Sequence, residues 1–216
     1  MSVLVLLEQR GELKNCALEA ASKANTIAKK AGMSLNAVYI GRALEDQVNQ
    51  LKGLGIAKVF AYENEKLGHY SSDGYVPIVR DLAKELGAKV IIGSSSLLGK
   101  EFCASVAARL GVELAQDCVD VDWDNGIVAK KPMYAGKIVS DIRVKDDPAM
   151  VSLRPNVSPV EREGDALPET VKREMPAFDL RTVIKDVAEA AAGTVELTEA
   201  KIVVSGGRGL GAPEHF

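Results

Sequence analysis

Cysteine and aromatic residues are scarce in this sequence, and their scarcity excludes some classes of protein. Only 5% of the 216 residues are aromatic, and the three cysteines, Cys16, Cys103 and Cys118, lie far apart without CxxC spacing. An odd, scattered set of this kind excludes a disulfide scaffold and indicates reduced thiols. We expect Cys103 and Cys118 to be small core residues.

Long apolar runs and an excess of positive charge are also missing. The longest apolar runs, Val3–Leu7 and Val90–Gly93, are much shorter than the ~18 residues that a membrane span needs. The first residues include no basic stretch of the kind that begins a signal peptide, so we expect a cytoplasmic protein without membrane insertion. With 27 basic against 30 acidic residues, and no Lys/Arg block longer than a pair, the charge argues against nucleic acid as a partner.

No catalytic or metal-binding motif is present. Neither GxSxG nor HExxH occurs, and the two histidines, His69 and His215, have no Ser or Cys elbow nearby. Asp120, Asp122 and Asp124 alternate along one predicted strand but lack the glycine and distal glutamate of a calcium loop, so we interpret them as a solvated strand face. We therefore predict no catalytic residue and no metal site, and we do not expect an enzyme.

Short apolar runs alternate with helical periodicity through the first half of the chain. Strands are predicted at Val3–Glu8, Leu35–Ile40, Lys58–Tyr62 and Lys89–Ile92. Helices are predicted at Leu13–Ala31, Ala43–Leu54, Ser72 or Asp73 to Leu86, and Lys100–Leu110, and a glycine follows each of them. This alternation predicts an α/β fold: a Rossmann-like, doubly wound, mostly parallel sheet that is covered on both faces.

A different pattern follows Gly111. Strands are predicted at Cys118–Trp123, Ile127–Pro132, Lys137–Val144 and Met150–Leu153, with a tight Asn-Gly turn after the first. We expect them to form an antiparallel extension on the edge of the parallel sheet. Tyr134 lies between two of these strands, where we expect it to fill a corner of the sheet rather than to stack on a cofactor.

The last third of the sequence is less regular and defines the predicted domains. From Ser158 to about Thr194 it is rich in proline and charge, which predicts an extended arm that packs on something else, such as another subunit, with a short helix at Val183–Ala192. A strand at Ala200–Val204 then precedes a glycine turn. We therefore expect an N-terminal α/β domain at 1–190, with its core at about 1–158, and the start of a truncated second domain at 191–216.

Two turns are candidate ligand sites. In Ser205–Gly211 the GxGxG spacing lets the backbone approach a diphosphate, while Arg208 adds a charged contact; a flexible terminal turn explains the same residues. Gly93–Ser96 ends the fourth strand ahead of a helix, which is where open α/β sheets bind ligands. Because no acidic or lysine partner accompanies these serines, we favour helix capping and turn formation there.

Six segments occur in a characteristic order along essentially the whole chain. They are Val3–Glu8, the stretch from Gly93–Ser96 to Ala107–Gly111, Asp117-Cys118, Lys131–Gly136, Leu153–Pro155 and Val203–Gly211. Together they resemble the alpha subunit of the electron-transfer flavoproteins. Each segment alone is weak, whereas the ordered set is specific.

The resemblance implies a heterodimer of alpha and beta subunits that relays electrons through FAD, from dehydrogenases to a membrane quinone oxidoreductase or another acceptor. It implies that the N-terminal layer pairs with a similar domain of the beta subunit and serves as a scaffold. It also implies that the glycine turn opens the FAD-binding domain. In that domain Arg208 contacts the cofactor, and Gly207 and Gly209 shape the turn.

The sequence departs from this family at its end. The later FAD motifs, including the serine–arginine and glutamine–histidine segments, are absent because the sequence stops at Phe216. We therefore expect that this chain alone does not bind FAD tightly, since immobilising a dinucleotide costs more than one contact returns. Two alternatives stay open. One is an adenine-nucleotide-binding module of the universal-stress kind. Such a module needs a glycine-rich phosphate loop after the fourth strand, and the segment Ser94–Leu98 offers only Gly99 in support. The other is an interaction domain without cofactor.

Overall fold

The computed structural model describes residues 1–45, 47–176, 180–182, 184, 197, 200 and 202–215. The chain divides into two compact units, Met1–Ile184 and Lys185–Phe216. The strands are β1 (Ser2–Leu7), β2 (Gln9–Arg10), β3 (Glu12–Leu13), β4 (Ser34–Gly41), β5 (Lys58–Glu63), β6 (Ala88–Ser94), β7 (Leu114–Cys118), β8 (Asp120–Trp123), β9 (Ile127–Met133), β10 (Ile138–Arg143), β11 (Ala149–Leu153) and β12 (Glu169–Arg173). The α-helices are α1 (Asn15–Ala31), α2 (Ser72–Glu85) and α3 (Leu97–Leu110).

Seven strands form the central sheet, in the order β12-β5-β4-β1-β6-β11-β7. Every neighbouring pair in it is parallel. Parallel strands need crossover connections, so helices come to lie on the faces of the sheet. The predicted α/β class and doubly wound parallel sheet are confirmed.

Two apolar cores lie on opposite faces of this sheet. Along β1, Val3, Val5 and Leu7 pack in one core, whereas Leu4 and Leu6 pack in the other, as the alternation of side chains along a strand requires. The alanine-rich face of α1 belongs to the first core, and α2 and α3 belong to the second. Cys103 and Cys118 are buried free thiols, as predicted.

The antiparallel strands form a small sheet of their own, in the order β10-β9-β8. Val121, Ile127 and Ala129 of this sheet are fully buried in the same core as α1. Because β7 and β11 are parallel neighbours, the small sheet lies within the crossover that joins them, where a helix is more usual. The prediction that Met150–Leu153 completes the antiparallel series is wrong. That stretch is a buried parallel strand between β6 and β7.

Two predicted elements differ in the structure. The predicted helix Ala43–Leu54 is a short 3₁₀ turn, Val48–Leu51, within irregular chain. Long-range bonds hold this segment: the Glu63 carboxylate accepts the Leu44 N–H, and the Gln47 side chain bonds the backbone of Leu13. The arm was predicted to pack on something else, such as another subunit. At residues 169–173 it instead forms β12, which pairs with the edge strand β5 of the same sheet.

The second unit contains two short 3₁₀ turns, Arg208–Leu210 and Pro213–His215. The predicted strand Ala200–Val204 does not form at its described residues, and Ile202–Val204 are exposed. The predicted helix Val183–Ala192 lies outside the described residues, except for Ile184. Within the described ranges, no helix is both long and apolar enough to cross a bilayer.

Candidate functional site

The carboxyl edge of the parallel sheet is the first place to look for a ligand site. From β1 the chain crosses to β4 and β5 on one side, whereas β6, β11 and β7 lie on the other side of β1. The reversal of direction between β1 and β6 is the position where open α/β sheets bind their ligands. Glu8 follows β1 at this edge, and Ser95 and Ser96 follow β6.

A buried carboxylate fills this position. The Ser96 hydroxyl donates to Glu8 Oε2 at 2.5 Å and accepts the Gly99 N–H at 2.8 Å, so Ser96 is the N-cap of α3. A Cβ built on Gly99 would lie 2.2 Å from the Ser94 carbonyl oxygen and 3.1 Å from Glu8 Oε2, so only glycine fits here. Burial raises the pKa of Glu8, against the opposing effect of its hydrogen bond with Ser96.

The other two serines are also bonded by the protein itself. Ser95 Oγ lies 2.6 Å from Ser152 Oγ and accepts the Asp117 N–H at 3.0 Å. Ser94 donates to the Cys16 carbonyl oxygen at 3.1 Å. Ser94, Ser95 and Ser152 are buried. Their hydroxyls bond to groups at strand ends or in α1 and do not point into an open cleft.

An ion pair lies beside this cluster. Arg154 donates from Nε and Nη2 to the two carboxylate oxygens of Asp117, at 3.1 and 2.8 Å. These two hydrogen bonds from the Arg154 guanidinium lower the pKa of Asp117. Asp117 also adopts a left-handed backbone (φ 62°), which aims its N–H at Ser95. The pair is half-exposed and covers the edge of the sheet next to the serines.

We refer to Glu8, Ser94–Ser96, Asp117, Ser152 and Arg154 as the closed edge. The sequence-based preference for capping and turn formation at Gly93–Ser96 is confirmed for Ser96. The expectation that no acidic partner accompanies the serines is wrong, because Glu8 is that partner. Glu8 and Ser96 are far apart in the sequence, and the only available signal was that both follow buried strands of a parallel sheet.

The glycine turn Ser205–Gly211 presents a different environment. All of its residues are exposed, and a Cβ built on Gly207 or Gly209 would meet no atom within 4 Å. Arg208 begins a single 3₁₀ turn. A phosphate could approach this backbone freely, but the described part of the second unit supplies no wall around it. The glycines and the arginine of the turn therefore suit contact with a diphosphate, but the described residues of this unit do not enclose such a ligand.

Two other sequence interpretations have clear outcomes. Asp120 and Asp122 form ion pairs with Lys23 and Lys30 of α1, and the described residues include no cluster of His, Cys, Asp and Glu that could hold a metal. Tyr134 does not fill a corner of the sheet: it is 73% exposed at the tip of the β9–β10 hairpin. That prediction was wrong because the hairpin end extends past the core that covers its base.

Comparison with known proteins gives a consistent family assignment. A sequence model described as the electron transfer flavoprotein domain matches residues 3–201. The chain is similar to electron transfer flavoprotein subunit alpha of Clostridium acetobutylicum, at 35% identity over 99% of this chain and 67% of the relative. It is also similar to the proteins of that name from Thermoanaerobacterium thermosaccharolyticum, at 33% identity over 99% and 67%, and Bacillus subtilis, at 33% over 99% and 66%. The chain thus spans about two thirds of the length of these relatives.

Proposed function

Because the chain belongs to the electron transfer flavoprotein family, we propose that it is an alpha subunit that acts as an electron carrier and has no substrate chemistry of its own. Its Met1–Ile184 unit serves as the scaffold that pairs with a companion beta subunit. The electrons come from dehydrogenases and pass to a quinone oxidoreductase or another acceptor, and the protein works in the cytoplasm.

The observation that carries the scaffold role is the closed edge. At the position where an α/β sheet would bind a nucleotide, Glu8 places a carboxylate against the N-terminus of α3, and every serine hydroxyl is bonded within the protein. A carboxylate there repels an incoming phosphate, and displacing it would leave buried groups unpaired. These contacts support a domain that is used for packing, and they argue against the alternative adenine-nucleotide-binding module.

FAD is the cofactor that we propose for a subunit of the length that these relatives have. Arg208 would hold the diphosphate by its guanidinium, and Gly207 and Gly209 would leave the backbone open to it. The cofactor supplies reversible electron uptake, and the residues of this chain supply only a charged contact and backbone N–H donors. Since the described turn is exposed on all sides, we propose that this 216-residue chain alone does not bind FAD tightly.

Reconstitution with the companion beta subunit tests the proposal. Native mass spectrometry of the purified chain mixed with that subunit is expected to show a one-to-one heterodimer, while absorbance of the chain alone shows no stoichiometric flavin. Failure to form a heterodimer, or stoichiometric flavin in the isolated chain, would contradict it. ATP or AMP added to the isolated chain should leave its thermal midpoint unchanged, because a ligand that binds only the folded state would raise it.

A further inference from the structure

The end of the β9–β10 hairpin is the one place in the described part of the first unit where several large apolar side chains are exposed together. Four of them, Met133, Tyr134, Ile138 and Val139, lie around its turn. The other exposed large apolar residues described in this unit lie singly along the chain. Clustered exposure of this kind marks a surface used for interaction, whereas single exposed residues are ordinary.

Both faces of this hairpin end are apolar. Ile138 lies opposite Met133, and Val139 lies opposite Pro132. Because neighbouring residues of a strand point to opposite faces, one apolar pair lies on each face. No residue of β10 is buried. A two-stranded ribbon with both faces exposed to solvent is marginally stable in water. A partner that covers the hairpin end would therefore stabilise it.

The turn itself is held in an unfavourable conformation. Tyr134 and Ala135 have φ of 50° and 56°, a left-handed region that residues other than glycine, asparagine and aspartate seldom adopt. Such strain persists at sites with a function. Here its effect is to carry the Tyr134 ring into solvent, where it is 73% exposed. An exposed aromatic ring on a fixed turn is the kind of side chain that anchors protein interfaces.

The charge of the hairpin indicates the kind of partner. Residues 127–143 contain four basic side chains and one acidic, in a chain whose net charge is −3. Asp141 faces Lys130 across the ladder, Arg143 pairs with Asp124, and Lys131 donates to the Gln116 carbonyl oxygen. Lys137 remains at the tip among the apolar residues. A twofold contact between two copies would bring these basic tips together, so a second copy of the chain is a poor fit.

We propose that the hairpin end, Pro132–Val139, is the surface on which the companion beta subunit docks, through an apolar groove with an acidic rim. This rests on the proposed function, which supplies the partner. Tyr134 and Ile138 fill the groove, and Lys137 faces the acidic rim. A membrane fits less well, because insertion of the tip would carry Lys137 into the acyl chains. Fully buried Ile127 and Ala129 anchor the base, so docking needs no rearrangement of the core.

Affinity for the companion subunit tests this surface, measured by calorimetry with the whole chain. Tyr134→Asn removes the ring but keeps a residue that tolerates positive φ, and Ile138→Thr keeps a strand-forming residue. Each is expected to weaken the heterodimer by about tenfold or more without lowering the thermal midpoint of the chain. Leu167→Thr is the matched control, since Leu167 and Ile138 are both 50% exposed; its affinity should equal that of the wild type. Lys137→Gln should slow association at low salt and reduce the dependence of the rate on salt.

The outcomes separate the two proposals. If the wild-type chain binds the companion subunit and the hairpin variants bind equally well, the docking surface is wrong and the proposed function stands. If the wild-type chain does not bind that subunit at all, both are wrong. Co-sedimentation with phosphatidylserine vesicles should leave the wild-type chain in the supernatant. Sedimentation that Ile138→Thr abolishes would overturn the docking surface in favour of a lipid surface.

Discussion

The closed edge and the hairpin end both lie at the ends of strands, but their side chains differ in burial and in hydrogen bonding. At the closed edge all four serines are hydrogen-bonded and three of them are buried, and the buried Glu8 carboxylate occupies the position that a ligand would take. At the hairpin end apolar side chains are exposed on a strained turn. A surface that completes its own hydrogen bonds has little to offer a partner, whereas an uncovered apolar surface gains by association. The comparison therefore assigns packing to the first region and docking to the second.

The largest effect is expected from Gly99→Ala at the closed edge. On helix propensity alone, alanine should stabilise α3 by about 1 kcal/mol. The new Cβ, however, would lie 2.2 Å from the Ser94 carbonyl oxygen, so backbone must move, and we expect a net loss of about 3 kcal/mol in the free energy of unfolding. Urea denaturation followed by circular dichroism measures it. Gly209→Ala, whose Cβ meets nothing within 4 Å, should change stability by less than about 0.5 kcal/mol; equal effects would mean that the edge is not tightly closed.

Ser95→Ala should cost somewhat less. It removes the nearer of the two acceptors of the half-buried Asp117 N–H and the partner of the buried Ser152 hydroxyl, so we expect a loss of about 2 kcal/mol. Ser105 bonds Glu101 on the exposed side of α3, and Ser105→Ala should be neutral within about 0.5 kcal/mol in the same denaturation experiment. A neutral Ser95→Ala would show that water replaces these bonds, and that the edge is open to solvent.

The dependence of stability on pH tests the buried carboxylate. Burial raises the pKa of Glu8 above its ordinary value of 4.5, so ionisation of Glu8 opposes folding. Its contribution is fully favourable below the unfolded pKa and is lost as the pH rises through the raised folded pKa. Glu8→Gln should therefore be more stable than the wild type at pH 8, with a difference that shrinks towards pH 4. The two unfolding curves compared across this range measure it; a constant difference would contradict a raised pKa for Glu8.

The smallest effect is expected at the hairpin turn, and it has the opposite sign. Ala135→Gly relieves a left-handed backbone and should raise the free energy of unfolding by about 0.5–1 kcal/mol. Gly32→Ala places a Cβ at the left-handed C-cap of α1 (φ 63°) and should lower it by a similar amount. The thermal midpoints of both variants, each compared with that of the wild type, measure these two effects. Destabilisation by Ala135→Gly would show that the turn is not strained.

The sequence predicts the local elements well and the long-range partners poorly. Apolar runs and glycine stops locate β1, β4, β5, β6 and the three helices, because these signals depend on neighbours along the chain. The segment at Ala43–Leu54 has a helical pattern, yet bonds from Glu63 and Gln47 hold it in another conformation. Met150–Leu153 is a largely apolar run of the kind that a buried parallel strand shows, so its place in the main sheet was predictable.

The candidate site shows the same division. Capping by Ser96 follows from a serine before a helix, but its bond to Glu8 joins two strands that only the fold brings together. The exposure of Tyr134 depends on where the core ends along the hairpin, which periodicity does not reveal. For Arg208, Gly207 and Gly209 the FAD role stays a prediction from the family resemblance.

Hydrogen–deuterium exchange tests the assignment of the two regions most directly, with the chain alone and with the companion beta subunit. We expect amides of residues 133–139 to exchange more slowly in the complex, while those of residues 93–99 stay unchanged because the closed edge takes no part in docking. Slower exchange at residues 93–99, with none at the hairpin, would contradict the account.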